Sequence, residues 1–207
     1  VSSTTINNLA VDQLKAILLY ELLPSKFVLN DFKQDVYYNE VSIGGDSSFV
    51  IKILDSLYIN GIKVAHPDMQ QSNGVIHATS KLLKPPYGNM IKSIAADSNL
   101  TFYHAAILKT ATSGQTNFVK MFDCGCRFTI FAPTNDAFIK SGYTSIEAIN
   151  ASDINKIVAI LSTHTIKERF FLSDLMHQNQ LQMMNGCLLN IDRFGNGVCV
   201  KGFSNKE

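Results

Sequence analysis

The chain has 207 residues, of which 46% are hydrophobic and 17% charged, and it carries a net charge of +1. That length can bury one large core or two small ones, and so sparsely charged a composition excludes a disordered chain. Its 18 basic residues balance 17 acidic ones, which leaves no electrostatic footprint for nucleic acid, and no apolar run approaches the roughly 18 residues that span a bilayer.

The opening, Val1-Ser2-Ser3-Thr4-Thr5, has neither an initiator Met nor the layout of a signal peptide, and is expected to belong to a processed or partial chain. Residues 11–23 read as a helix: Leu14, Ile17 and Leu18 form a stripe that Leu19, Leu22 and Leu23 widen, and Pro24 ends it. Strand character follows at 36–38, 48–54, 57–59 and 62–65, with Gly44-Gly45-Asp46 and Asn60-Gly61 as turns. This order is an antiparallel meander rather than an alternation of strands and helices. Asn73-Gly74 predicts a tight turn before a short strand at 75–78, and Pro85-Pro86 reads as a linker.

From Tyr87 the pattern becomes helical, with segments at 89–96, 102–110, 117–122, 145–150 and 152–166. Among them lies the run FTIFAPTNDAF, residues 128–138. Its first five residues suit a strand buried on both faces, and Pro133, which has no N–H to give, stops the ladder. Thr134 or Asn135 can cap a helix, Asp136 answers the helix dipole in the first turn, and Ala137 and Phe138 return to the core. The same dipole accounts for Asp136 more simply than a catalytic acid does. Strands resume at 181–184, 187–191 and 197–200, with hairpin chemistry at Phe194-Gly195-Asn196-Gly197.

The chain also repeats. Residues 13–32 (QLKAILLYELLPSKFVLNDF) and 156–175 (KIVAILSTHTIKERFFLSDL) align without a gap, setting Ala16 on Ala159, Leu18 on Leu161, Phe27 on Phe170 and Asp31 on Asp174. The offset, about 143 residues, is domain-sized and too long for a solenoid. Residues 1–86 are therefore expected to hold the C-terminal part of one copy, and 87–207 the N-terminal and middle part of a second.

Two motifs carry a family resemblance. FTIFAPTNDAF resembles the first signature of the fasciclin domain, with Phe131, Pro133, Thr134, Asn135, Asp136 and Phe138 at its centre. NGVIHATSKLLKPP, which holds Asn73, Gly74 and His77, resembles the second signature, and the repeated segments fall where the family places an apolar helix ending in a Tyr-His pair. The resemblance covers nearly the whole chain. It implies an α+β fold, a wedge-shaped β-sandwich packed with a group of short α-helices, in tandem. It also implies a non-enzymatic adhesion or matrix-binding module, secreted or at the cell surface, needing no cofactor. A lipid or surface anchor would lie outside this chain. The partner expected is a surface or matrix protein, or a glycan.

The binding positions this implies are Tyr20, Glu21 and Lys26 in the first copy and Thr163, His164, Lys167 and Arg169 in the second. The first has Tyr20-Glu21 and the second Thr163-His164 where the family has Tyr-His, so integrin-type recognition is not expected. A rival reading is a glycan- or small-molecule-binding module of a bacterial lipoprotein, with a pocket of Tyr37, Tyr38 and Phe49. Another is a secreted enzyme using His66, His77 and His164.

His77, among Val75 and Ile76, is expected as a hydrogen-bonded structural histidine rather than a metal ligand with His66 and Asp68. No Gly-x-Ser-x-Gly elbow or phosphate loop occurs. Asn99-Leu100-Thr101 and Asn150-Ala151-Ser152 fit the glycosylation acceptor pattern. Cys124, Cys126, Cys187 and Cys199 can pair in three ways. Buried or free thiols are expected over two disulfides or a metal, since Cys-x-Cys spacing suits zinc poorly.

Overall fold

The computed structural model describes residues 8–86, 88–112, 114, 116–195 and 197–202. The opening five residues and Asn196 of the last hairpin turn lie outside these. Two compact units result, Val1–Pro86 and Tyr87–Glu207.

The first unit begins with α1 (Val11–Tyr20). It stops before the expected Leu23 because the backbone N–H of Ile43 bonds to the Leu22 carbonyl, drawing residues 22–23 into a loop. A five-stranded sheet follows, built from β1 (Tyr37–Val41), β2 (Ser47–Ile53), β3 (Ser56–Ile59), β4 (Ile62–Gln71) and β5 (Gly74–Thr79) in sequence order, each antiparallel to the next. Asn60 and Gly61 both take positive φ, as the two-residue hairpin turn demands. Strand β4 runs past the expected Ala65. Pro67 cannot donate to the ladder, and the register shifts across it between His66 and Met69, after an earlier shift between Val64 and His66, with Asp68 turned to φ 60°. The next turn is Ser72-Asn73, one residue earlier than predicted, and Gly74 opens β5. Phe32, Val50, Leu57 and Val64 form the core of this unit.

The second unit packs α2 (Met90–Ala95), α3 (Thr101–Lys109), α4 (Phe118–Asp123), α5 (Asn135–Lys140), α6 (Ile146–Ala151) and α7 (Ile154–Thr163) around Tyr103, Ile107, Phe118, Ile149, Ile157 and Leu161, all fully buried. Asn89, Asn117, Thr134, Ser145 and Asp153 cap their helices with side-chain oxygens, the polar N-caps that helix starts favour.

The predicted five-residue strand at 128–132 is corrected. Only β6 (Thr129–Ile130) is strand, half-buried, and it pairs with β7 (Thr165–Ile166). The helix predicted at 152–166 therefore ends at Thr163, where β-branched Thr165 and Ile166 find strand partners instead. A short helix α8 (Leu172–Leu175) went unforeseen. Beyond it β8 (Gln180–Gln182), β9 (Leu188–Phe194) and β10 (Gly197–Gly202) make a three-stranded sheet in the order β10-β9-β8.

Cys124 and Cys126 are joined in a disulfide across Gly125, whereas Cys187 and Cys199 are free and exposed. The expectation of free thiols fails for the first pair, because a bend after α4 sets the two Cα atoms 5.2 Å apart, within disulfide reach. Asn99 and Asn150 are both exposed.

Candidate functional site

The segment after α7 is fixed by the 128–138 elbow. The Phe131 N–H donates to the His164 carbonyl at 3.0 Å, and the His164 Nδ1 lies 2.9 Å from the Phe131 carbonyl. That geometry requires the proton on Nδ1. Burial pushes the His164 imidazole below its usual range, partly offset by this bond to Phe131. Thr129 staples the next turn: its hydroxyl donates to the Glu168 carbonyl at 2.8 Å and accepts from the Phe170 N–H at 2.7 Å. Lys167 and Glu168 are thereby held outward, exposed, while Ile166 stays buried.

Strand β8 comes up to the same place. The Met184 N–H bonds to the Thr165 carbonyl at 2.8 Å, tying the end of the β8 segment to β7. From that tie the two segments splay apart and leave a cleft of about 410 Å³. Its floor is apolar, from Ile166, Phe170, Leu181 and Met183; Lys167, Glu168, Gln178, Gln180 and Gln182 line it with polar side chains. A concave site with an apolar floor and a few placed polar groups is the usual form of a binding pocket.

Lys167 lies in this cleft, while His164 and Arg169, both half-buried, flank it in sequence. Thr163 is half-buried, its hydroxyl donating to the Ala159 carbonyl and accepting from Asn185. Tyr20 is corrected as a contact residue: at 2% exposure, its hydroxyl donates to the Ser47 carbonyl and accepts from Asn60, so it supports the first unit from inside. Glu21 is exposed but accepts from the Leu83 N–H at 3.2 Å, and Lys26 is exposed.

The signature residues act in the fold. Pro133 precedes the Thr134 cap, whose hydroxyl accepts from the Ala137 N–H, and Asp136 is exposed in the first turn of α5. The Asn135 carbonyl oxygen accepts from the Phe102 N–H and the Thr101 hydroxyl, and its amide donates to the Ser98 carbonyl. Asn135 thus locks the start of α3 to α5, and Phe138 at 3% exposure fills the core between them.

In the first unit His77 Nε2 meets the Phe27 carbonyl at 3.0 Å and Nδ1 accepts from the Asp68 N–H at 3.3 Å. The Asp68 carboxylate takes the Leu29 N–H at 2.9 Å. Among the described residues no three His, Cys, Asp or Glu side chains gather as a metal site.

Tyr37 and Tyr38 do not line one pocket together. Tyr37 and Tyr38 are neighbours on β1 and point to opposite faces; Tyr38 packs edge-on against Phe32 in the core. Sequence reasoning, which pointed to the segment 164–170, missed Gln180, Gln182 and Met183, which join it only when β7 and β8 meet. The alternation Gln-Leu-Gln was the one available signal of a half-buried strand.

A model of the fasciclin domain matches residues 1–85 and 104–206. Human periostin is 26% identical over 164 residues, covering 79% of this chain and 17% of periostin. The transforming growth factor-beta-induced protein ig-h3 of Sus scrofa is 28% identical over 152 residues, covering 71% and 20% respectively. The chain thus spans about a fifth of the length of these curated relatives. A FAS1 domain pair from the insect cell adhesion molecule fasciclin I aligns with 97% of this chain and 75% of its own, at 14% identity and a TM-score of 0.48. Among the described residues no helix is long and apolar enough to cross a membrane.

Proposed function

The chain belongs to the fasciclin domain family, and from that premise we propose that it is a non-enzymatic adhesion module working outside the cell. Its contact with a surface or matrix protein is made through the cleft between β7 and β8. The observation that carries this reading is the cleft itself. It lies on the segment that the family resemblance marks for binding, with Lys167 at its edge and an apolar floor beneath. Recognition of this size is weak per site, and repeated units raise it through avidity.

The test is attachment of beads coated with the full chain to a matrix-coated surface. Replacing Lys167 and Gln182 together by Ala is expected to lower attachment several-fold, while Lys26→Ala in the first unit leaves it unchanged. Equal attachment by the double variant would remove the cleft from the binding surface. A glycan reading draws support from the three glutamine amides at the rim, which suit hydroxyl groups. It predicts competition by soluble polysaccharide.

A further inference from the structure

Resting on that placement of the site, we propose that the occupant of the cleft is an extended peptide of the partner protein, added to β8 as a fourth strand. Four consecutive residues from Gln180 to Met183 line the cleft, although Leu181 and Met183 turn their side chains into the core. On the opposite wall Ile166, Lys167 and Glu168 line it consecutively too. Consecutive lining, regardless of side-chain alternation, is what a strand presents edge-on. The cleft is therefore walled by two backbone edges, joined at Met184 and Thr165 and open beyond.

The hydrogen-bond phase of β8 points the same way. The Ile191 N–H bonds to the Asn179 carbonyl and the Met183 N–H to the Cys187 carbonyl. In an antiparallel ladder inward-bonded residues alternate with outward ones. Asn179, Leu181 and Met183 thus bond to β9, and Gln180 and Gln182 direct their N–H and C=O groups away from it, to the cleft side. These two residues stand about 7 Å apart, the repeat of an extended chain. A peptide backbone matches that row of alternating donors and acceptors, whereas a glycan has no such register.

Among the described residues the edge is also undefended. Proteins usually guard sheet edges with Lys, Pro or bulges. At the other edge of this sheet β10 carries Lys201, ion-paired to Asp192 at 2.6 Å. Strand β8 has only Gln, Leu and Gln. Lys167 and Glu168 at the mouth are of opposite sign, so selection falls on backbone shape and on small apolar side chains that reach Phe170 and Ile166.

The probe is the acetylated and amidated pentapeptide Thr-Val-Thr-Val-Thr, added at millimolar concentration to the full chain and followed by amide hydrogen exchange. Exchange at Gln180 and Gln182 is expected to slow at least tenfold, with Leu181 unchanged because it is already paired. The same peptide N-methylated at alternate residues should bind at least tenfold more weakly, as should the parent peptide to Gln182→Pro. The methylated peptide tests the wild-type chain, so misfolding of the proline variant does not blur the result. Absence of protection at Gln180 and Gln182, or equal binding of the methylated peptide, overturns the strand-addition proposal. If attachment still depends on Lys167 and Gln182 in that case, the adhesive cleft stands and only its occupant changes. Protection of both amides with attachment unaffected keeps the strand site and removes its adhesive role.

Discussion

Helix α1 of the first unit and α7 of the second share the run Ala-Ile-Leu in the same repeat register, yet they bury different faces. Leu161 is fully buried beside Ile107 and Phe118, whereas its counterpart Leu18 is 53% exposed. In α1 the buried positions are Ile17 and Tyr20, turned towards the sheet side where Tyr20 reaches Ser47 and Asn60. The difference is one of company. In the second unit α7 shares one core with residues of α3, α4 and α6, while no helix among the described residues of the first unit covers Leu18. Apolar periodicity makes a helix; its neighbours choose which stripe goes inside.

That contrast can be broken most directly at the shared leucine. Leu161→Ala is expected to destabilise the second unit by about 3 kcal/mol, whereas Leu18→Ala should cost less than about 0.5 kcal/mol. Denaturant unfolding with hydrogen exchange resolved to each unit measures both, and equal costs would refute the asymmetry. Next in size is Asn135→Ala, which removes two hydrogen bonds from α5 to α3 and one to the Ser98 carbonyl ahead of it, and should cost the second unit about 2 kcal/mol, read by the same exchange.

A smaller effect of opposite sign is expected in the first unit. Leu54 is exposed in the β2–β3 turn at φ 51°, a conformation that Asn tolerates better. Leu54→Asn should stabilise that unit by roughly 0.5 kcal/mol without touching the second, measured as a shift in its own unfolding midpoint.

The smallest effect is a pH dependence confined to the second unit. The folded pKa of His164 lies below its unfolded value because of burial. The stability it gives is present above about pH 6.5, and is lost as pH falls from there through the lower folded pKa. His164→Gln should flatten this slope between neutral and mildly acid pH. A slope that survives the substitution would assign it to another group.

Much of the fold was legible because its signals are local. Asn60-Gly61 specified a hairpin turn that the backbone then adopts, and Thr134 with Asp136 marked a helix start that forms with that cap. Pro67 was visible too, but a bulge lets the strand continue past it. The candidate site was half legible. The segment with Lys167 was singled out by repeat and resemblance, but β8 as its second wall was not. Tyr20 and Tyr38 show the matching failure, since a tyrosine reads alike at the surface and in a core until its packing partners are known.

The amino-acid order by itself determined the helix caps and most turns, which depend on residues within a few places of one another, and the family and the repeat, which are read by matching one stretch of sequence to another. Tertiary structure alone decided that β6 would pair with β7, that the Thr129 hydroxyl would hold Glu168 and Phe170, and that β8 would stand at the end of its sheet among the described residues. The first two outcomes join residues about 40 positions apart, one by backbone pairing that almost any side chain permits and the other by a hydroxyl that only a few side chains supply.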